Sequence, residues 1–197
     1  MKAGALKEEK SHIFERAADE WYCEPEWCSA RLFQVEQFVG TIADPSCGFG
    51  RIVESALAAG LPAFGSDLVN RGYEKLVATG DFFQQKARVA NIVSNPPFDV
   101  FKAYALHALG LATQKVALIW LVRTLPAARW LEETPLKAIY FLTPLPSMPP
   151  GHVIASGQKP GGGKQDFCWL VWDFAHTGPP VTRWLRRDQL VTALPTI

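Results

Sequence analysis

The sequence lacks several features that would assign it to a class at once. It has no apolar run near the roughly 20 residues of a membrane-spanning helix, and its longest such run is Val116 to Val122. Charge of one sign is not in excess either, because 20 basic residues face 19 acidic ones and leave a net charge of +1. This balance excludes a general attraction to nucleic acid, so any such binding must come from a local patch.

Cysteine is also scarce, and its spacing matches neither a zinc site nor a secreted disulfide framework. The cysteines are Cys23, Cys28, Cys47 and Cys168. The first ten residues are charged and do not have the pattern of a secretory signal. We therefore predict a soluble, reduced, cytoplasmic protein that binds no membrane and no metal.

The length of 197 residues is typical of one folded domain with a sizeable apolar core. We expect a charged lead-in over residues 1–20, a folded domain over residues 21–175 and a basic extension over residues 176–197.

Apolar segments alternate with helical patterns along most of the chain, which predicts a doubly wound α/β sheet. The predicted strands cover residues 41–43, 62–68, 91–94 and 115–122, and the predicted helices cover 26–38, 51–59, 98–111 and 125–131. Two more strands, 138–142 and 167–172, are joined by a Pro- and Gly-rich loop over 143–165. Because no crossover helix separates these two, we expect them to pair antiparallel.

A glycine turn follows the first predicted strand, in the segment Asp44-Pro45-Ser46-Cys47-Gly48-Phe49-Gly50. Glycine lets the chain turn sharply and lets a ligand approach the backbone. Val53 stands where a pyrophosphate-binding turn would have a third glycine, which favours a nucleoside cofactor without phosphates. Asp67, at the end of the next strand, could accept both ribose hydroxyls. A plain turn and a helix N-cap are the structural alternatives.

A second signal is the tetrapeptide Asn95-Pro96-Pro97-Phe98, where two prolines end a predicted strand. An exocyclic amino group is a poor nucleophile because its lone pair is delocalised into the ring. Asn95 Oδ1 and the Pro96 carbonyl could accept its two N–H bonds and free the lone pair, with the prolines holding both acceptors fixed. Phe98 could stack on the base. The alternative is a turn that only ends the strand.

Together, the glycine turn and the tetrapeptide resemble the class I S-adenosylmethionine (SAM) methyltransferases, in the branch that methylates N6 of adenine in DNA. The likeness extends over about residues 21 to 173 and is greatest to small phage and prophage enzymes. It implies a Rossmann-like, mostly parallel sheet of about seven strands with an antiparallel C-terminal strand. It also implies SAM as the cofactor and direct methyl transfer without metal.

The resemblance also assigns roles to individual residues. Asp44 would lie near the methionine amino group, Asp67 would bind the ribose, and Asp81 would receive the adenine amino group. Tyr22-Cys23-Glu24-Pro25 resembles an N-terminal motif, usually Tyr-x-Thr-Pro, that packs over the methionine end, and here Glu24 replaces the threonine. The implied cofactor-binding residues are Tyr22, Pro25, Asp44, Pro45, Ser46, Gly48, Gly50, Asp67, Leu68, Asp81, Phe82 and Asn95. The implied catalytic residues are Asn95, Pro96, Pro97 and Phe98.

The substrate is less narrowly defined than the reaction. The same tetrapeptide serves enzymes that methylate guanine N2 in RNA or a glutamine amide in protein, and a catalytically silent SAM- or nucleic-acid-binding accessory protein is a further alternative. About 25 residues follow Asp173, too few for a recognition domain, so we expect specificity to come from loops, a homodimer or a partner.

The remaining predictions concern basic side chains that could contact nucleic acid and side chains expected to be structural. The candidate nucleic-acid contacts are Arg123, Lys159, Lys164, Arg183 and Arg186, for which a solvated surface is the structural alternative. His107 is expected to be structural, Cys47 to be a small packing residue, and the core to include Trp21, Trp27, Trp169 and Trp172.

Overall fold

Residues 21–158 and 161–188 are described by a computed structural model. In these residues eight strands form one sheet in the order β3-β2-β1-β4-β5-β7-β6-β8. The strands are β1 (Ile42–Asp44), β2 (Ala63–Asp67), β3 (Leu76–Thr79), β4 (Val89–Ser94), β5 (Ala112–Leu121), β6 (Leu136–Thr143), β7 (Phe167–Asp173) and β8 (Val181–Arg186).

Strand direction confirms the predicted fold class. β7 runs antiparallel to both of its neighbours, β5 and β6, whereas all other neighbouring strands pair parallel. The sheet is therefore Rossmann-like and mostly parallel, and β6 and β7 pair antiparallel as the missing crossover helix predicted.

The two strands that the sequence did not predict, β3 and β8, are the outermost in the sheet. Both are mostly exposed. β8 lacks the apolar pattern of a buried strand, and β3, although apolar in its first three residues, is only four residues long. β8 lies within the segment expected as a basic extension and pairs with β6 from Ala138–Val181 to Thr143–Arg186.

The helices are α1 (Glu26–Val35), α2 (Arg51–Ala58), α3 (Phe101–Leu111) and the short α4 (Gly151–Ala155). α1 packs on α2, α2 packs on β1 and β2, and α3 packs on β5. α4 lies in the segment predicted as an unbroken loop. The helix predicted over 125–131 is instead a pair of 3₁₀ helices, Val122–Ala127 and Arg129–Glu133; Pro126 lies inside the first, where it cannot donate a helical hydrogen bond.

The core is most completely buried along β5 and β7, which are neighbours in the sheet. Trp169 and Trp172 are fully buried there, as predicted, and each indole N–H has an acceptor. Trp169 donates to the Cys28 carbonyl at 3.0 Å and Trp172 to Thr134 Oγ1 at 2.9 Å. Trp27 is half-buried against this core.

A buried charge cluster ties α1 to the amino-terminal ends of β5 and β6. The Glu36 carboxylate accepts hydrogen bonds from Lys115 at 3.1 Å, Lys137 at 2.8 Å and Tyr140 at 2.6 Å. Burial works against its charge, but these donors outweigh burial and hold the pKa of Glu36 below its ordinary value. Because both carboxylate oxygens already accept from side chains of β5 and β6, we assign the cluster a structural role.

Within the described part of the chain, no helix is long and apolar enough to cross a membrane. Over the same residues, no three or more His, Cys, Asp or Glu side chains are grouped to hold a metal ion. The cysteines are all free and buried.

Candidate active site

One cleft lies where the carboxyl ends of β1, β2 and β4 meet, the usual ligand position in an open parallel sheet. These strands end at Asp44, Asp67 and Ser94. The cleft collects most of the residues predicted from sequence: Tyr22, Asp44, Pro45, Ser46, Gly48, Asp67, Leu68, Asp81, Phe82, Asn95 and Pro97 line it. Four predicted residues do not line it, namely Pro25, Gly50, Pro96 and Phe98.

The glycine turn forms as predicted, with φ of 53° at Gly48 and 78° at Gly50. The space beside each glycine, however, is taken by the protein's own aromatic rings. A Cβ at Gly48 would lie 2.9 Å from Trp21 Nε1, and a Cβ at Gly50 would lie 2.3 Å from Tyr73 Cε2. Gly50 therefore admits the loop that follows β2 rather than presenting open backbone to the cleft.

Asp67 braces this turn from the end of β2. Its Oδ2 accepts from the Gly48 N–H at 2.8 Å and its Oδ1 accepts from the Val69 N–H at 3.2 Å, while Arg71 Nε lies 3.8 Å from Oδ1. Each carboxylate oxygen can accept two hydrogen bonds. Asp67 thus retains acceptor capacity for a ligand in the cleft.

Asp44 lies on the floor of the cleft and is 1% exposed. Its Oδ1 accepts from Ser94 Oγ at 2.7 Å and from the Ser46 N–H at 3.2 Å, and Tyr104 Oη lies 3.0 Å from both serine hydroxyls. Burial raises the pKa of Asp44 well above its ordinary value, against the lowering effect of the Ser94 hydrogen bond. Among the described residues no basic side chain forms an ion pair with Asp44, so the cleft has a floor suited to a cation.

The side-chain amide of Asn95 has one orientation in the cleft. Its Nδ2 donates to the Tyr22 carbonyl at 3.0 Å and to Glu24 Oε2 at 2.9 Å. Both partners are acceptors, so the nitrogen must face them and Oδ1 must face away. Oδ1 is buried and has no hydrogen-bond partner within the described residues. An unpaired buried acceptor costs about 1–3 kcal/mol, so a donor group in the cleft would be stabilised by Oδ1.

Aromatic rings surround these polar groups. Phe98 stacks on Tyr22, with ring centroids 6.1 Å apart, and also contacts Phe167 at 5.7 Å. Phe82 is buried against Tyr104, whereas the neighbouring Phe83 lines the cleft and is 39% exposed. Of these two neighbouring rings, Phe83 is therefore the one open to a ligand.

The cleft also contains residues that sequence reasoning missed. Trp21 was predicted to be core, and this was wrong, because it lines the cleft half-buried with the Arg71 guanidinium 4.4 Å from its ring centroid. Glu24 was noted only as a departure from the resembled Tyr-x-Thr-Pro motif and was not assigned to the site. Nothing in the local sequence around Tyr104 marks it.

The predicted nucleic-acid contacts lie elsewhere. Arg123, Lys164, Arg183 and Arg186 are exposed and none of these four lines the cleft, while Lys159 is outside the described residues. Arg183 and Arg186 belong to an edge strand and not to a helix, and Trp184 between them is 67% exposed.

His107 and Cys47 are packed against neighbouring side chains, which fits a structural role for each. The His107 ring lies against Phe82, with centroids 4.8 Å apart. Burial, with the charges of Asp44 and Asp67, raises the pKa of the Cys47 thiol, so the reactive thiolate form is suppressed.

The fold resembles that of several methyltransferases of known structure. A proposed RNA methyltransferase from Pyrococcus horikoshii matches with a TM-score of 0.55 and 16% identity, covering 75% of this chain and 81% of that one. The chain shares the fold of these methyltransferases. A modification subunit of a proposed type I restriction enzyme from Vibrio vulnificus matches with a TM-score of 0.52 and 16% identity, covering 80% of this chain and 45% of that one.

A ribosomal protein L11 methylase from Lactobacillus delbrueckii subsp. bulgaricus matches with a TM-score of 0.51 and 13% identity, covering 78% of this chain and 82% of that one. No protein-family model matches the sequence, and no curated protein matches it. Identities this low establish a common fold only.

Proposed function

We propose that this protein is a SAM-dependent methyltransferase that acts on an exocyclic amino group, N6 of adenine in DNA. The observation that carries the proposal is the unpaired Asn95 Oδ1, fixed in the same cleft as the buried carboxyl of Asp44. Within the described residues, no protein group donates to Oδ1 and no basic side chain forms an ion pair with Asp44, so both can interact with a ligand.

The residues of the cleft fit SAM. Its methionine amino group is cationic and suits Asp44, and its ribose suits the remaining acceptor capacity of Asp67. Exposed apolar side chains at the rim, Leu68 and Phe83, would cover the adenine, with Asp81 at its amino group. When bound, SAM would supply a methyl group on positively charged sulfur.

The chain's own part of the chemistry is to prepare the amino nitrogen. Asn95 Oδ1 and the Pro96 carbonyl would accept its two N–H bonds, which localises the lone pair on nitrogen. These dipoles are held before the substrate arrives, so little reorganisation is needed during the reaction. The base must be turned out of a duplex to reach the cleft. Phe98 lies behind Tyr22 and outside the cleft lining, so it would stack on the base only if Tyr22 moves aside.

The proposed DNA substrate rests on the likeness of the tetrapeptide and its neighbouring motifs to phage adenine methyltransferases. Arg123, Lys164, Arg183 and Arg186 are exposed cations outside the cleft, where they could hold phosphates beside the flipped base. A homodimer or a partner would add sequence recognition.

The test is methyl transfer from tritiated SAM to unmethylated DNA, with RNA and a protein lysate in parallel and the product identified by mass spectrometry. N6-methyladenine in DNA is the expected product. Label in RNA or in a glutamine side chain would keep the reaction class and replace the substrate. SAM binding without transfer to any acceptor would overturn the proposal in favour of an accessory protein.

A further inference from the structure

Glu24 is a buried acid in the cleft. It is 7% exposed and lies just before α1. Its Oε2 accepts from Asn95 Nδ2 at 2.9 Å. Its backbone carbonyl accepts from Arg51 Nη1 at 2.7 Å, which fixes the segment to α2.

We propose that Glu24 is a positioning residue that orients the Asn95 amide and strengthens Oδ1 as an acceptor for the substrate amino group. This inference rests on the proposed function of the site. A hydrogen bond to a carboxylate is stronger than one between neutral groups. Donation from Nδ2 to that negative charge also polarises the amide toward Oδ1.

The choice of a carboxylate has a specific consequence for the amide. The resembled Tyr-x-Thr-Pro motif has threonine at this position, and a threonine hydroxyl can either donate or accept a hydrogen bond. It could therefore bond to either end of an asparagine amide. An ionised carboxylate can only accept, and the Tyr22 carbonyl beside it can only accept as well. The two together exclude the flipped amide, in which Oδ1 would face two other oxygens.

The surroundings of Glu24 make its charge sensitive to pH. Burial raises the pKa of its carboxyl, and the Asn95 hydrogen bond and the Arg51 charge only partly oppose this effect. The other titratable groups that interact with it are Cys23, Cys28 and Asp44. Once protonated, Glu24 gains an O–H donor, and only the Tyr22 carbonyl still disfavours the flipped amide. Turnover is therefore expected to fall as acid protonates Glu24.

Glu24→Gln tests the inference, because glutamine keeps the shape and an acceptor oxygen but removes the charge. Glu26→Gln is the matched control, since Glu26 is an exposed glutamate two positions away. We expect Glu24→Gln to lower kcat about tenfold, the scale of losing a charge-assisted bond, with SAM affinity unchanged. The acid limb assigned to Glu24 should disappear from its pH profile and remain in Glu26→Gln. Unchanged kcat in Glu24→Gln would overturn the inference.

A second measurement does not depend on turnover. The asparagines are Asn70, Asn91 and Asn95, so asparagine-selective ¹⁵N labelling gives few side-chain amide signals, and Asn95→Ala assigns the one of interest. We expect the Asn95 NH₂ signals to move with pH in the wild type and in Glu26→Gln but not in Glu24→Gln. Identical Asn95 signals in all three proteins would overturn the positioning role. A wild type that transfers no methyl group would instead overturn the proposed function, and the NMR result would still decide the role of Glu24.

Discussion

Ser94 donates its hydroxyl proton to Asp44 Oδ1 at 2.7 Å, although the two residues are 50 positions apart. They end adjacent parallel strands, β1 and β4, and Tyr104 holds the Ser94 hydroxyl from α3. An acid is thereby kept buried beneath the cleft at a cost to the fold. A cost of this kind is typical of a site built for binding and not for stability.

Asp44→Asn tests whether the buried Asp44 carboxyl lowers the stability of the ligand-free protein. Because burial raises the pKa of Asp44, the folded state binds a proton more tightly than the unfolded chain. Stability is then lost as pH rises from the unfolded pKa of about 4 through the raised folded pKa. We expect Asp44→Asn to stabilise the ligand-free protein at pH 8 by about 1 kcal/mol, or 2–4 °C in Tm, with no gain below pH 4. Thermal melts from pH 3.5 to 8 check this, and a variant less stable than the wild type at pH 8 would contradict it. The same variant should bind SAM more weakly.

Asn95→Ala separates binding from chemistry. Removing Oδ1 removes one preorganised acceptor, so we expect turnover to fall by about two orders of magnitude or more. SAM affinity should stay nearly unchanged. Single-turnover methyl transfer and calorimetry give the two quantities, and equal losses in both would contradict the assigned role of Asn95.

Asp67→Ala should weaken SAM binding by about 1.5–3 kcal/mol, the scale for hydrogen bonds to a charged group. Asp67 also accepts from the Gly48 N–H, so the alanine variant removes a brace of the turn as well. Asp67→Asn is the matched comparison, because its amide oxygen can still accept from Gly48. Calorimetry on both variants isolates the ligand contact, and unchanged affinity in both would remove Asp67 from the site.

Gly50→Ala should be more destabilising than Gly60→Ala. Both glycines have positive φ, 78° and 80°, so both substitutions carry the left-handed penalty of about 1–2 kcal/mol. Only at Gly50 would the new Cβ clash with Tyr73, at 2.3 Å, since nothing lies within 4 Å of a Cβ at Gly60. Urea titrations give the free energy of unfolding of both variants. Adding Tyr73→Ala to Gly50→Ala should restore the extra stability lost at Gly50. Equal losses of stability at Gly50 and Gly60 would contradict the steric clash with Tyr73.

Local chemistry made much of the fold predictable. The central strand β5 contains a continuous apolar run, and prolines follow the ends of β1 and β4, where they prevent further ladder bonds. The edge strand β8 escaped prediction because an exposed strand needs no apolar face, and β3 escaped because it has only four residues. Trp21 was wrongly predicted to be core because its ring is large and apolar. The ring covers the glycine turn, which forms a wall of the cleft.

The sequence by itself determined the class of fold and the positions where β1, β2 and β4 end, at Asp44, at Asp67 and just before Asn95, because turn residues act on their immediate neighbours. Only the tertiary structure decided how the Asn95 amide is turned. Its orientation depends on Glu24, 71 positions away, and on the Tyr22 carbonyl, 73 positions away. These contacts form only once the segment before α1 has packed against the end of β4. Local sequence preferences act over a few residues and cannot predict a contact between residues more than 70 positions apart.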